Sequence, residues 1–137
     1  MPGELTPRAL GLGVRLIVWR LVLPVLRRAV RLERLVGVAR PRTCQRDPSV
    51  ERFAARAAGR LWRGSGTPCL ERSLALHREL GRAGARPQLV VGLDESHRGH
   101  AWVVVDGVAL LEQDPPESRF TILVRYDAAG NRIVEAA

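Results

Sequence analysis

Chemistry in this chain starts with Cys69, which opens the run "CLERSLALHREL" directly after "SGTP". Thr67 is a good helix N-cap and Pro68 suits the first helical position, so the spacing predicts a helix with Cys69 in its first turn. The unpaired N–H groups and the dipole of a first turn favour an anion. A thiol held there has a lowered pKa, which is what a cysteine nucleophile needs. The same N–H groups can hold a tetrahedral oxyanion, and Gly64 and Gly66 let a substrate backbone approach closely. The plain alternative is a cysteine that is merely packed. Cys44 lies between Thr43 and Gln45 in a loop with no helix start, and is expected to be a bystander.

A cysteine nucleophile needs a base. His77 stands eight residues beyond Cys69, two turns along the helix, and is expected to be exposed and out of reach of the thiol. His97 falls in the polar turn "DESHRG" and is expected to be solvated. His100 begins the apolar run "HAWVVV", so a strand can hold its ring towards the helix start, as a Cys–His pair requires. The orienting acid is sought on the next strand. With Asp106 and Gly107 as a two-residue hairpin turn, Val105 pairs with Val108 and His100 falls opposite Gln113. Glu112 and Asp114 bracket that position, and a one-residue bulge brings either to the imidazole. Pattern alone leaves both open. Three histidines and two cysteines make no zinc-binding spacing.

The elements that must position these residues are readable in outline. Residues 10–39 are apolar with interspersed arginines, and Leu16, Trp19, Leu23, Leu26, Val30 and Leu35 recur at helical spacing, which predicts an amphipathic helix or helix pair. Arg15, Arg20, Arg27 and Arg28 interrupt the run and Pro24 is expected to kink it, so a helix packed on protein is favoured over a membrane span. Residues 39–49 read as a loop. Asp47 or Ser49 is placed to cap a helix over about 49–62, with Val50, Phe53, Ala57 and Leu61 on one face. The helix after Cys69 is expected to close at Gly81 and Gly84. Then the period changes: "RPQLVVGL", "HAWVVV", "VALLE" and "RFTILVRYD" are short strand-like runs, with "IVEA" as a last one. The expected architecture is α+β: helices first, then an antiparallel meander.

At 137 residues the chain is expected to form one domain with a core. All 22 basic residues are arginine, which reads as the codon bias of a GC-rich bacterial genome. Residues 1–68 hold 14 arginines against four acids, a net of +10; residues 69–137 hold 8 against 10, a net of −2. An acidic partner is therefore expected to dock on the N-terminal half. The opening residues lack a basic stretch leading to a small-residue cleavage site, so a cytoplasmic protein with reduced thiols is expected.

"PCLERSLALHRELGRAGARPQLVVGL" followed by "GHAWVVVDGVALLE" resembles the transglutaminase-like leader peptidases of lasso-peptide biosynthesis, over about residues 60–115. The resemblance implies a papain-like core over residues 49–137, preceded by a basic helical region over 1–48. It implies a Cys–His–acid triad with Cys69 as nucleophile and His100 as general base. The family acid usually stands twelve residues after the histidine, which points to Glu112. Aspartate is the commoner acid there, and Asp114 is the alternative. The implied task is removal of the leader from a ribosomally made precursor peptide, so that a separate cyclase can form the macrolactam. The implied partners are that precursor, a leader-binding protein supplied in trans and the cyclase, with no cofactor and no metal. Two other readings keep a place: an acyltransferase or transglutaminase with the same triad, and an arginine-rich nucleic-acid binder. Against the second, the arginines are interleaved with aliphatic residues, aromatics are few and no nucleic-acid-binding motif appears. Peripheral membrane association is possible but not favoured.

Overall fold

A computed structural model of the chain describes residues 7–29, 31, 34, 46–63, 69–112 and 115–133. Within them three helices precede a five-stranded antiparallel sheet, the α+β arrangement expected. The helices are α1 (Pro7–Ala29), α2 (Pro48–Leu61) and α3 (Cys69–Arg82). The strands are β1 (Gln88–Leu93), β2 (Gly99–Val105), β3 (Val108–Leu110), β4 (Thr121–Tyr126) and β5 (Arg132–Ile133).

Local chemistry sets the helix ends. Asp47 caps α2: its Oδ1 accepts from the N–H groups of Ser49 (3.1 Å) and Val50 (3.4 Å), and Pro48 fills the first helical position. Gly84, not Gly81, closes α3. The N–H of Ala85 bonds to Leu80 O and that of Gly84 to Gly81 O, with Gly84 at φ 92°, the paired bonds of a Schellman cap. Gly81 lies buried within the helix. Helix α1 begins earlier than the apolar run suggested and continues through Pro24. Val30 and Leu35 lie outside the described residues.

One face of each helix feeds a common core. Leu12, Leu16 and Leu23 of α1, Ala54 and Ala58 of α2, and Leu76 and Leu80 of α3 join Leu89, Val103 and Tyr126 of the sheet in a single buried cluster. Helix α3 packs across β2 and β1. The strand order is β3-β2-β1-β4-β5, so the strands do not form the expected meander. β3 pairs for only three residues, and the chain then runs through a 3₁₀ turn (Pro116–Ser118) to place β4 on the far edge of β1. The predicted hairpin turn does form. Asp106 (φ 51°) and Gly107 (φ 78°) are both left-handed, as a two-residue type I′ turn requires, and Val105 pairs with Val108.

Candidate active site

The register of β1 and β2 fixes the histidine. His100 lies opposite Gly92, and its ring packs in a three-ring cluster with Trp102 (centroids 5.7 Å, planes 25° apart) and Phe120 (4.8 Å, 25°), which themselves meet at 5.9 Å. His100 and Trp102 are two apart on one strand, so they share a face. Phe120 arrives from the segment just before β4. The absence of a side chain at Gly92 is a packing requirement. A Cβ there would stand 2.8 Å from Thr121 O, 3.1 Å from Phe120 Cβ and 3.3 Å from the Trp102 ring.

Two partners act on the imidazole. His100 Nε2 lies 2.7 Å from Glu112 Oε1, and the Cys69 thiol is near enough to the ring to raise its pKa. Glu112 gets there by a device that differs from the expected bulge. β3 pairing ends at Leu110, and Leu111 takes the left-handed region (φ 60°), which re-aims the chain directly before Glu112. That conformation is unusual for a leucine and costs on the order of 1 kcal/mol. Leu111 is seated against α2, where a Cβ on Gly59 would meet its side chain at 3.3 Å.

The charges favour an ion pair. Burial pushes the Cys69 thiol up. Hydrogen bonds with His100 and the Ala101 backbone N–H, with the charges of His100 and Arg72, outweigh this and leave it below its ordinary value. His100 is pushed up to about 9, first by its bond to Cys69 and then by its bond to Glu112 and that carboxylate's charge. A lowered thiol beside a raised imidazole is the electrostatic signature of a thiolate–imidazolium pair.

Sequence reasoning missed Arg72. Its Nη2 stands 3.7 Å from Glu112 Oε1, the oxygen that bonds His100. The available signal was its spacing: three residues after Cys69, it shares that residue's face of α3. Reasoning also misplaced His77. It is buried, not exposed, and its Nε2 donates to the backbone oxygen of Asp127 at 2.8 Å. Burial lowers its pKa, so it is held neutral, away from the thiol. His97 is exposed as expected, at φ 61°. Cys44, Gly64, Gly66, Thr67, Pro68, Gln113 and Asp114 lie outside the described residues.

A half-buried cysteine at a helix start, an imidazole on a neighbouring strand and a carboxylate behind it can together perform acyl transfer through a thioester. The sequence profile of the transglutaminase-like superfamily matches residues 12–125. No curated protein and no solved structure gives a significant match. Because the profile spans most of the chain, including most of α1, the protein belongs to the transglutaminase-like superfamily, whose members are typically cysteine-dependent enzymes.

Proposed function

We propose that this protein is a cysteine peptidase that removes the leader from a lasso-peptide precursor, with Cys69 as nucleophile, His100 as general acid–base and Glu112 as orienting acid. The observation that carries the chemical part is the bond of Glu112 to Nε2 of His100 at 2.7 Å, with Cys69 raising the pKa of the same ring. The resemblance of the "CLERSLAL" and "HAWVVVDG" segments to the leader peptidases supports the substrate.

In this reading the Cys69 thiolate attacks the scissile carbonyl, forming the C–S bond as the carbonyl π pair moves to oxygen. Backbone N–H groups around Cys69 hold the oxyanion. The imidazolium gives its proton to the departing amine, the C–N bond breaks and a thioester remains. His100 then takes a proton from water, whose oxygen displaces the thiolate and frees the leader carboxylate. Glu112 holds the tautomer that leaves Nδ1 facing sulfur, and stabilises the imidazolium each time it forms. Neither step calls on a metal or nucleotide. The precursor, a leader-binding protein and a cyclase are the partners this reading needs, in a cytoplasmic setting.

The test is the mass of the products when the chain is incubated with a precursor and its leader-binding protein. Peptidase action gives a leader ending in a carboxylate that has gained one water oxygen, and Cys69→Ala gives none. A leader joined to an added amine in preference to water would make the protein an acyltransferase. An intact precursor with the wild-type chain would refute the assigned substrate.

A further inference from the structure

Arginines and aliphatic residues alternate along α1, and the fold sorts them. Arg15 turns in to Glu79, a fully buried carboxylate, at 2.9 Å, and Arg20 bonds the carbonyl of Leu61 at 3.1 Å. On the outer face stand Leu10, Val14, Ile17, Val18, Leu21 and Val25, each at least half exposed. Ile17 and Val18 are adjacent and the other steps are three or four residues, which puts all six on a single stripe about 22 Å long at the rise of an α-helix. A contiguous exposed apolar face of this kind marks a contact surface.

Beside the stripe lies a groove of about 510 Å³ between α1 and α2, where Phe53, Ala57 and Leu61 meet Leu10, Val14 and Ile17. Its charged lining is Arg56 and Arg60, both exposed. Helix α1 contains no acid, and the one acid of α2, Glu51, is held by Arg46 at 2.7 Å. A second copy of the chain would bring arginine to arginine. A bilayer surface would cover the stripe without supplying discrete side chains to fill a groove. An apolar trough edged by arginine matches an amphipathic helix whose flank is acidic.

We infer that the α1–α2 groove docks an amphipathic helix of a separate polypeptide, its apolar face on Phe53 and Ala57 and its acidic flank against Arg56 and Arg60. The inference stands apart from the cysteine chemistry, because no groove residue belongs to the site around Cys69.

The probe is a labelled helical peptide of about 18 residues, long enough to span the stripe. It has leucines on one face and glutamates flanking them, and a second peptide carries lysine in place of each glutamate. Both are titrated against the full chain by fluorescence anisotropy. The glutamate peptide is expected to bind at least about tenfold tighter than the lysine peptide. Ile17→Glu, an exposed position whose folding is checked by circular dichroism, is expected to abolish binding, and R56E/R60E to reverse the preference. Equal affinity for the two peptides, indifference to Ile17→Glu, or no binding of the glutamate peptide would overturn the proposal. So would vesicles of phosphatidylglycerol binding the chain where neither peptide does, or self-association that Ile17→Glu removes.

Discussion

Glu112 accepts a 2.7 Å hydrogen bond from His100 Nε2 two residues after β3 pairing has ended at Leu110. The carboxylate is thus placed by one left-handed residue, Leu111, and not by the ladder. Glu112→Gln keeps an acceptor for Nε2–H but removes the charge. His100 then loses one of the causes that hold it at about 9, and its pKa falls. The thiolate–imidazolium pair persists from the depressed pKa of Cys69 up to that of His100, so its alkaline limit moves to lower pH. We expect kcat/KM near neutrality to fall by about ten- to a hundredfold. The rate profile is the check, and an alkaline limb that stays in place would show that another group raises His100.

Arg72 faces Cys69 and Glu112 together, which gives it an electrostatic part separable from packing. Arg72→Gln should raise the pH of half-maximal iodoacetamide modification at Cys69, because one of the charges that lower its pKa is gone. Arg72→Lys should restore part of that shift, because the cation returns without the planar fork. KM should change little beside kcat. If both variants alkylate with the wild-type profile, Arg72 holds Glu112 without influencing sulfur.

The sequence made the chemistry legible wherever it depended on local rules. A helix-start cysteine, a strand histidine and an Asp-Gly hairpin turn each announce themselves, and Val105 opposite Val108 followed from the turn. What could not be read depended on tertiary placement. Leucine has no preference for φ 60°, so nothing local announces the turn at Leu111, and Glu112 could not be separated from Asp114 by counting. Nothing local says that β4 returns to β1, since a run such as "TILVRY" pairs equally well with either free edge. His77 looked exposed because the carbonyl of Asp127 that receives its N–H comes from fifty residues away.

Gly92 and Gly99 provide a matched pair on adjacent strands. Gly92→Ala places a methyl 2.8 Å from Thr121 O and against Phe120 and Trp102, the rings that pack on His100. Overpacking of this kind costs about 1–3 kcal/mol. The melting temperature should drop by several degrees, about 3–4 °C per kcal/mol for a chain this size, and kcat should fall because the ring cluster that positions His100 must shift. A Cβ on Gly99 meets nothing within 4 Å, and Gly99→Ala should leave both properties unchanged. Equal melting temperatures for the two variants would show that the β1–β4 edge yields at no cost.

His77 should give the fold an acid sensitivity of its own. Burial depresses its pKa below 6.5 in the folded chain, while in the unfolded chain it titrates at the ordinary value. Above 6.5 both states hold it neutral and it adds no slope. As pH falls below 6.5 the unfolded chain takes up a proton that the folded chain refuses, so stability declines by up to about 1.4 kcal/mol per pH unit until the folded pKa is reached. The Cys69–His100 pair contributes little slope between about 6.5 and 9: it carries one proton on His100 when folded and one on the thiol when unfolded. His77→Gln can still donate an amide N–H to Asp127 O but does not titrate. Denaturant unfolding from pH 7 to pH 5 should therefore show a shallower loss for His77→Gln than for the wild type, whatever its starting stability. Parallel curves would mean that His77 takes up its proton inside the fold, and that the hydrogen bond to Asp127 compensates for its burial.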